Sequence, residues 1–302
     1  MVDLRVNIAG ALFDNPVMVA SGTYGYAKEF VDFYSPSELG AVMVKGTTLL
    51  PKKGNPSPRV IETPAGMINA VGLQNDGLDV LIDEHLPWLR KNNVTTIVNF
   101  SGNTVEEYCE IVERLSEEKD IAMLEANISC PNVKKGGLVF GTDPKVAANL
   151  VKEMKKVAKI PLMVKLSPNV TDIVEIAKTV EGAGADAISM INTLIGMRID
   201  VGAKKPYIAN KMGGLSGPAI KPVAVRMVYQ VARGVDIPIV GMGGISCVED
   251  ALEFLLAGAD AISIGTANFV DPYVALHVKE GIEDYMELNS IDKVSDIKSL
   301  LI

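Results

Sequence analysis

Near the middle of the chain, Asn127-Ile128-Ser129-Cys130-Pro131-Asn132 sets a thiol between a serine and a proline, just beyond an apolar run. A thiol with an ordinary pKa of ~8.5 can remove a proton at mildly alkaline pH. A lone cysteine is more often a small inert core residue. Here Pro131 forces the chain out of regular structure and leaves Cys130 on a loop, which favours a working group. The run Lys134-Lys135-Gly136-Gly137 predicts that this loop is polar and mobile. Cys109 and Cys247 fall in or beside helical patterns and are expected to be core residues.

A second chemistry lies in two glycine turns. Pro238-Ile239-Val240-Gly241-Met242-Gly243-Gly244 and Asp260-Ala261-Ile262-Ser263-Ile264-Gly265-Thr266 are apolar runs that end in glycine. Glycine lets backbone approach a ligand closely, and successive free amides form an anion nest. These turns predict a phosphate grip, for a sugar phosphate or for a flavin nucleotide.

Polar side chains recur at the ends of apolar runs. Lys45 and Lys165 each close one. A lysine inside a barrel must pair with an anion or lose its charge, so Lys45 is expected on a substrate carboxylate and Lys165 on an electron-rich ring, unless both reach solvent. The amides Asn69, Gln74, Asn99, Asn127, Asn132 and Asn192 cluster at run ends and in one long connection. Buried amides need partners. Several at one mouth suit a ligand rich in N–H and C=O groups, and a flavin ring or a pyrimidine would both serve. His85 and His277 lie in helical patterns and are expected to be structural.

Eight short, β-branched runs position these groups: 16–20, 41–45, 95–100, 122–128, 161–166, 186–191, 238–241 and 260–264. Amphipathic stretches at 105–119, 144–159, 172–183, 222–233 and 248–257 fall between several of them. Alternating strands and helices predict right-handed βαβ units and a parallel sheet. Eight units close into a (β/α)₈ TIM barrel, with a doubly wound open sheet as the alternative. Two helix exits, Gly184-Ala185-Asp186 and Gly258-Ala259-Asp260, place glycine where a left-handed stop is needed. The long connections 46–87 and 192–221 leave strand C-termini, so they are expected to wall the site. No linker or charge block divides the chain, so residues 1–302 are expected to form one domain.

Composition narrows the function. Of 302 residues, 48% are hydrophobic and only 5% aromatic, a bias that suits buried parallel strands. Acidic residues outnumber basic ones, 37 to 29, for a net charge of −8, which argues against a nucleic-acid surface. Three separated cysteines build neither a zinc site nor an iron–sulfur cluster, and the odd number argues against a disulfide framework. No metal site, no signal peptide at Met1-Val2-Asp3-Leu4-Arg5 and no membrane span are expected, which points to the cytoplasm.

The run from Asn127 to Asn132 resembles the active-site signature of class 1 dihydroorotate dehydrogenases. The likeness extends through Ala20-Ser21-Gly22-Thr23, Lys45-Gly46-Thr47-Thr48, Gly54-Asn55-Pro56-Ser57-Pro58-Arg59 and Asn69-Ala70-Val71-Gly72-Leu73-Gln74-Asn75. It continues in Lys165-Leu166-Ser167-Pro168, Ile191-Asn192-Thr193, Gly213-Gly214-Leu215-Ser216-Gly217-Pro218-Ala219 and both glycine turns. It implies an FMN-dependent oxidation of (S)-dihydroorotate to orotate in pyrimidine synthesis. Cys130 would take the C5 proton and flavin N5 the C6 hydride. Lys45, Asn69, Val71, Gly72, Leu73, Asn127, Asn132, Asn192 and Thr193 would surround the substrate. Ser21, Lys45, Gly46, Asn99, Asn127, Lys165, Ile191, Gly217, Gly243, Gly244, Gly265 and Thr266 would hold one FMN.

Membrane-associated relatives use serine as base and carry an N-terminal extension, and neither feature is present in this sequence. Lys45-Gly46-Thr47-Thr48, Gly72-Leu73-Gln74-Asn75 and Gly214-Leu215-Ser216-Gly217-Pro218 resemble the B type. That type implies a homodimer core in a heterotetramer with an FAD and 2Fe–2S subunit that passes electrons to NAD⁺. The A type, a homodimer reducing fumarate, is one alternative. Others are a Schiff-base aldolase or lyase using Lys45 or Lys165 on a phosphorylated substrate, reduction of another pyrimidine, and a non-catalytic flavin-binding subunit.

Overall fold

The structure is a computed structural model, and it describes residues 2–129 and 140–302. Eight parallel strands close into a barrel: β1 Val17–Val19, β2 Ala41–Thr47, β3 Thr96–Phe100, β4 Ile121–Asn127, β5 Leu162–Lys165, β6 Ala187–Met190, β7 Ile239–Met242 and β8 Ala261–Ile264. Their order around the barrel follows the chain, and β8 pairs with β1. Each of the eight expected runs supplies one strand. Most strand residues are fully buried, because the helices cover the outer face while side chains fill the inside.

Helices follow strands two to eight: α1 Leu86–Lys91, α2 Val105–Leu115, α3 Pro144–Val157, α4 Ile173–Gly182, α5 Lys221–Ala232, α6 Val248–Ala257 and α7 Val274–Leu288. Local chemistry sets their ends. Thr104 caps α2 by accepting from the Glu107 amide, and Asp143 and Asp172 cap α3 and α4 in the same way. Gly184 and Gly258 adopt φ of +101° and +116°, the left-handed stops expected from the sequence. The crossover from β1 to β2 departs from the pattern, since it contains only the 3₁₀ turns Lys28–Phe30 and Pro36–Glu38.

The long connections after β2 and β6 are not plain loops. They contribute Val60–Thr63, Gly66–Asn69, Leu194–Met197 and Met212–Ser216 to one antiparallel four-stranded sheet. The sequence reading treated these segments as loops, because their short runs are broken by glycine and half exposed. The pairing sets Gly214 opposite Asn69 and Ser216 opposite Met67, so two segments far apart in sequence share one wall. Among the described residues, no helix is long and apolar enough to cross a membrane.

Candidate functional site

Four neighbouring strands aim polar side chains into the barrel. In the register, Asn99 on β3 lies opposite Glu125 on β4, and Lys165 on β5 lies opposite both Asn127 on β4 and Ser189 on β6. Glu125 is fully buried. Its Oε1 accepts from the Ser189 hydroxyl at 2.6 Å, and its Oε2 accepts from Asn99 Nδ2 at 2.5 Å. Lys165 Nζ stands 3.9 Å from Oε1, with 7% of its side chain exposed. Lys165 is therefore an interior cation beside an anion and not a surface lysine whose head reaches water.

Lys45 occupies a different setting. The register between β2 and β3 shifts between Val44 and Thr47, so Lys45 and Gly46 sit in a bulge. Bulges beside active sites re-aim a side chain. Among the described residues, no carboxylate pairs with Lys45. Gly46 is needed at the bulge, because a Cβ there would stand 2.7 Å from Asn99 Oδ1 and 3.3 Å from Leu73 Cδ2. Leu73 is brought to that point by consecutive left-handed residues, with φ of +80° at Gly72 and +53° at Leu73. Leucine in that region is strained and persists where surroundings hold it. The Asn55 amide does so by bonding the Val71 carbonyl at 2.9 Å.

Beyond β4, Asn127 Oδ1 accepts from the Ser129 hydroxyl at 2.8 Å and from Asn192 Nδ2 at 3.3 Å. Asn192 Nδ2 also reaches Ser129 Oγ at 2.5 Å, and its Oδ1 accepts from the Thr193 amide. Thr193 packs against Gly214, which the sheet sets opposite Asn69. The expected substrate residues Lys45, Asn69, Val71, Gly72, Leu73, Asn127, Asn192 and Thr193 thus belong to one wall and one mouth. Cys130 and Asn132 lie outside the described residues. Ser129, next to Cys130 in sequence, is the last residue described before the thiol.

The glycine turns also converge. A Cβ on Gly244, where φ is +87°, would stand 2.8 Å from the Gly217 carbonyl oxygen. Gly217, at φ +99°, comes equally close to Gly66, where a Cβ would be 2.6 Å from the Gly66 Cα. Thr266 and Ser216 share a hydroxyl–hydroxyl bond of 2.8 Å. Backbone from after β2, β6 and β7 therefore meets beside the start of α5, and the Thr266 hydroxyl joins it from after β8, an arrangement that favours a phosphate. Ser21 is buried where β1 ends, and Ile191 follows β6 directly, so both stand at the same face.

This grip is braced from behind. Lys221, at the start of α5, donates to Asp250 and Glu253 on α6, each at 2.6 Å. Burial works to raise the Asp250 carboxyl. Hydrogen bonds from Lys221 and Ser246 outweigh it and hold the group below the usual carboxylate range. The pair of carboxylates raises Lys221. The Asp250 contribution is complete above the unfolded carboxyl value, ~3.9, and is lost as pH falls through the lower folded value. The Lys221 contribution is complete below ~10.4 and is lost as pH rises through its raised value. Asp250→Asn is expected to cost about 1–3 kcal/mol at neutral pH, with the gap from the parent closing as pH falls well below about 4. Urea unfolding across that range checks it, and an unchanged midpoint at neutral pH would remove the brace.

Two residues of the site escaped the sequence reading. Glu125 was visible as one acidic residue inside an apolar strand, but no spacing named its partners. Ser216 stood beside Gly217 in a quoted motif and was given no role. One expectation is corrected: Cys247 is exposed, because it sits in extended backbone just ahead of α6 and does not pack inward. Cys109 is partly buried against the core. Desolvation chiefly pushes both thiols upward, so neither is an activated nucleophile. His85 is buried, stacked on Tyr26 at 3.7 Å and bonded to Lys28 and Asp76, in keeping with a structural role.

A profile of the dihydroorotate dehydrogenase family matches residues 3–286. The chain belongs to the dihydroorotate dehydrogenase family. A protein of Alkaliphilus metalliredigens is 56% identical over 300 residues, covering 99% of both chains. One from Geotalea uraniireducens is 55% identical over 300 residues, 99% of this chain and 98% of its own. A third, from Geobacillus kaustophilus, is 58% identical over 271 residues, 90% of this chain and 87% of its own. Each of the three is named dihydroorotate dehydrogenase B (NAD(+)), catalytic subunit. The dihydroorotate dehydrogenases are oxidoreductases, and the parallel barrel described above suits membership.

The residues present fit a flavin nucleotide. Asn99 Oδ1 is buried and has no hydrogen-bond partner among the described residues. An orphaned buried acceptor is rare and needs an explanation. The imide N–H of an isoalloxazine would satisfy it, with Lys165 nearby for the electron-rich pyrimidine edge. The three-way glycine meeting would take the phosphate.

Proposed function

We propose that the chain oxidises (S)-dihydroorotate to orotate with one FMN held at the C-terminal face of the barrel. The observation that carries this reading is the buried, unsatisfied Asn99 Oδ1 on the same face as the glycine cradle. A sugar phosphate would occupy the cradle and leave that acceptor unmet. Bound there, FMN would supply the oxidant, taking a hydride from substrate C6.

The protein's own residues do the rest. Lys45, re-aimed by its bulge and without a carboxylate partner among the described residues, binds the substrate carboxylate. Asn69, Asn127, Asn132 and Asn192 meet the amide groups of the substrate ring, with Thr193 and the backbone of Val71–Leu73 completing the wall. Cys130 removes the C5 proton. Ser21, Lys45, Gly46, Asn99, Asn127, Lys165 and Ile191 line the ring and ribityl portion, and Gly217, Gly243, Gly244, Gly265 and Thr266 hold the phosphate. Residues 1–302 act as one FMN-binding unit.

The B-type relatives support the electron route. Electrons leave to NAD⁺ through a partner subunit carrying FAD and a 2Fe–2S cluster, around a homodimer core, in the cytoplasm. The engagement of Lys165 with Glu125 speaks against that lysine as a Schiff-base nucleophile. The purified chain is expected to be yellow and to release about one FMN per chain on acid precipitation, which HPLC of the released flavin checks. A colourless protein that forms a borohydride-trapped adduct on Lys45 or Lys165 with a phosphorylated carbonyl compound would overturn the reading.

A further inference from the structure

We propose that Glu125 is a positioning residue that sets the polarity of the flavin-facing edge, an inference that rests on the FMN reading above. A carboxylate can only accept hydrogen bonds, whereas a side-chain amide offers both an acceptor and two donors. With Glu125 Oε2 at 2.5 Å, Asn99 must turn its NH₂ toward the carboxylate. Its oxygen is then left facing Gly46 and Leu73, without a partner among the described residues. Glu125 thus decides that this edge presents an acceptor. Without it, Asn99 could rotate by half a turn and present a donor to the imide N–H, a mismatch.

The same carboxylate acts on Lys165, 3.9 Å away. Ser189 holds Oε1 in place from β6 at 2.6 Å, so the anion cannot swing aside. Glu125 is fully buried, hence its charge is weakly screened and acts strongly over that distance. It offsets the positive charge that Lys165 brings to the ring. Removing the negative charge leaves Lys165 uncompensated and favours the reduced, more electron-rich flavin.

The test uses the full chain, with apo-protein titrated by FMN and the midpoint potential measured by dye equilibration. Glu125→Gln is expected to raise the FMN dissociation constant at least tenfold. It should also shift the oxidised-to-reduced equilibrium at least tenfold toward reduced flavin, about +30 mV for a two-electron couple. Glu125→Asp keeps the charge and shortens the reach. It is expected to leave the equilibrium within twofold of the parent while still weakening FMN binding. Folding is checked by circular dichroism. A folded Glu125→Gln with parental affinity and potential overturns the inference while leaving the FMN reading standing. If Glu125→Gln does not fold, a Glu125→Asp protein with parental FMN affinity overturns it. A parent chain that does not bind FMN overturns the reading beneath.

Discussion

Cys130→Ala is expected to retain FMN and lose turnover by about 10²–10⁴-fold, the usual contribution of a positioned general base. That corresponds to roughly 3–5 kcal/mol of transition-state stabilisation. The expectation follows from what surrounds the preceding residue. Ser129 is tied to Asn127 and Asn192, and these two amides are tied to each other. The chain therefore leaves β4 from a fixed point at the barrel's open end, one residue before the thiol. The groups proposed to hold the flavin, Asn99, Lys165 and the glycine turns, do not include Cys130, so cofactor content and the visible spectrum should survive. The parent rate should rise with pH as the thiolate fraction grows, around ~8.5 for an unperturbed thiol. The alanine variant should lose that limb. Steady-state kcat/KM with an artificial electron acceptor, from about pH 6 to 10, reads both effects. A near-parental rate at every pH would remove Cys130 from the role of base, and loss of flavin would show that it supports the cofactor.

The barrel was legible because its signal is repeated and local. Each strand is a short β-branched run buried on both faces, and helix stops such as Gly184 and Gly258 recur at the same place in the unit. The antiparallel sheet over the mouth was not legible, because the pairing that unites its two hairpins, Gly66–Asn69 with Met212–Ser216, joins segments more than a hundred residues apart. Its strand Met212–Ser216 also holds two glycines, which a single-chain pattern reads as loop. The first crossover, for which the sequence named no amphipathic stretch, contains only 3₁₀ turns.

The site divided along the same line. Glycines and amides at strand ends announced themselves by type and position. The partner of Lys165 did not, since register alone brings Glu125, Ser189 and Asn99 from three different strands to one point. Cys247 was misplaced because a small residue ahead of a helix resembles a core position in pattern, while its extended backbone turns it outward.

In the proposed reaction, one mouth holds an oxidising flavin against dihydroorotate. The described residues assigned above belong to that mouth or brace it, and the bond-breaking step needs no metal in this scheme. The effect to be seen is all-or-none, because a single hydride transfer converts the whole yellow chromophore. Anaerobic addition of (S)-dihydroorotate to the purified chain, without any partner or acceptor, should bleach the flavin band within the mixing time of a stopped-flow instrument. One equivalent of orotate should form per flavin reduced. A band that stays yellow with excess dihydroorotate, yet bleaches normally with dithionite, would contradict the claim.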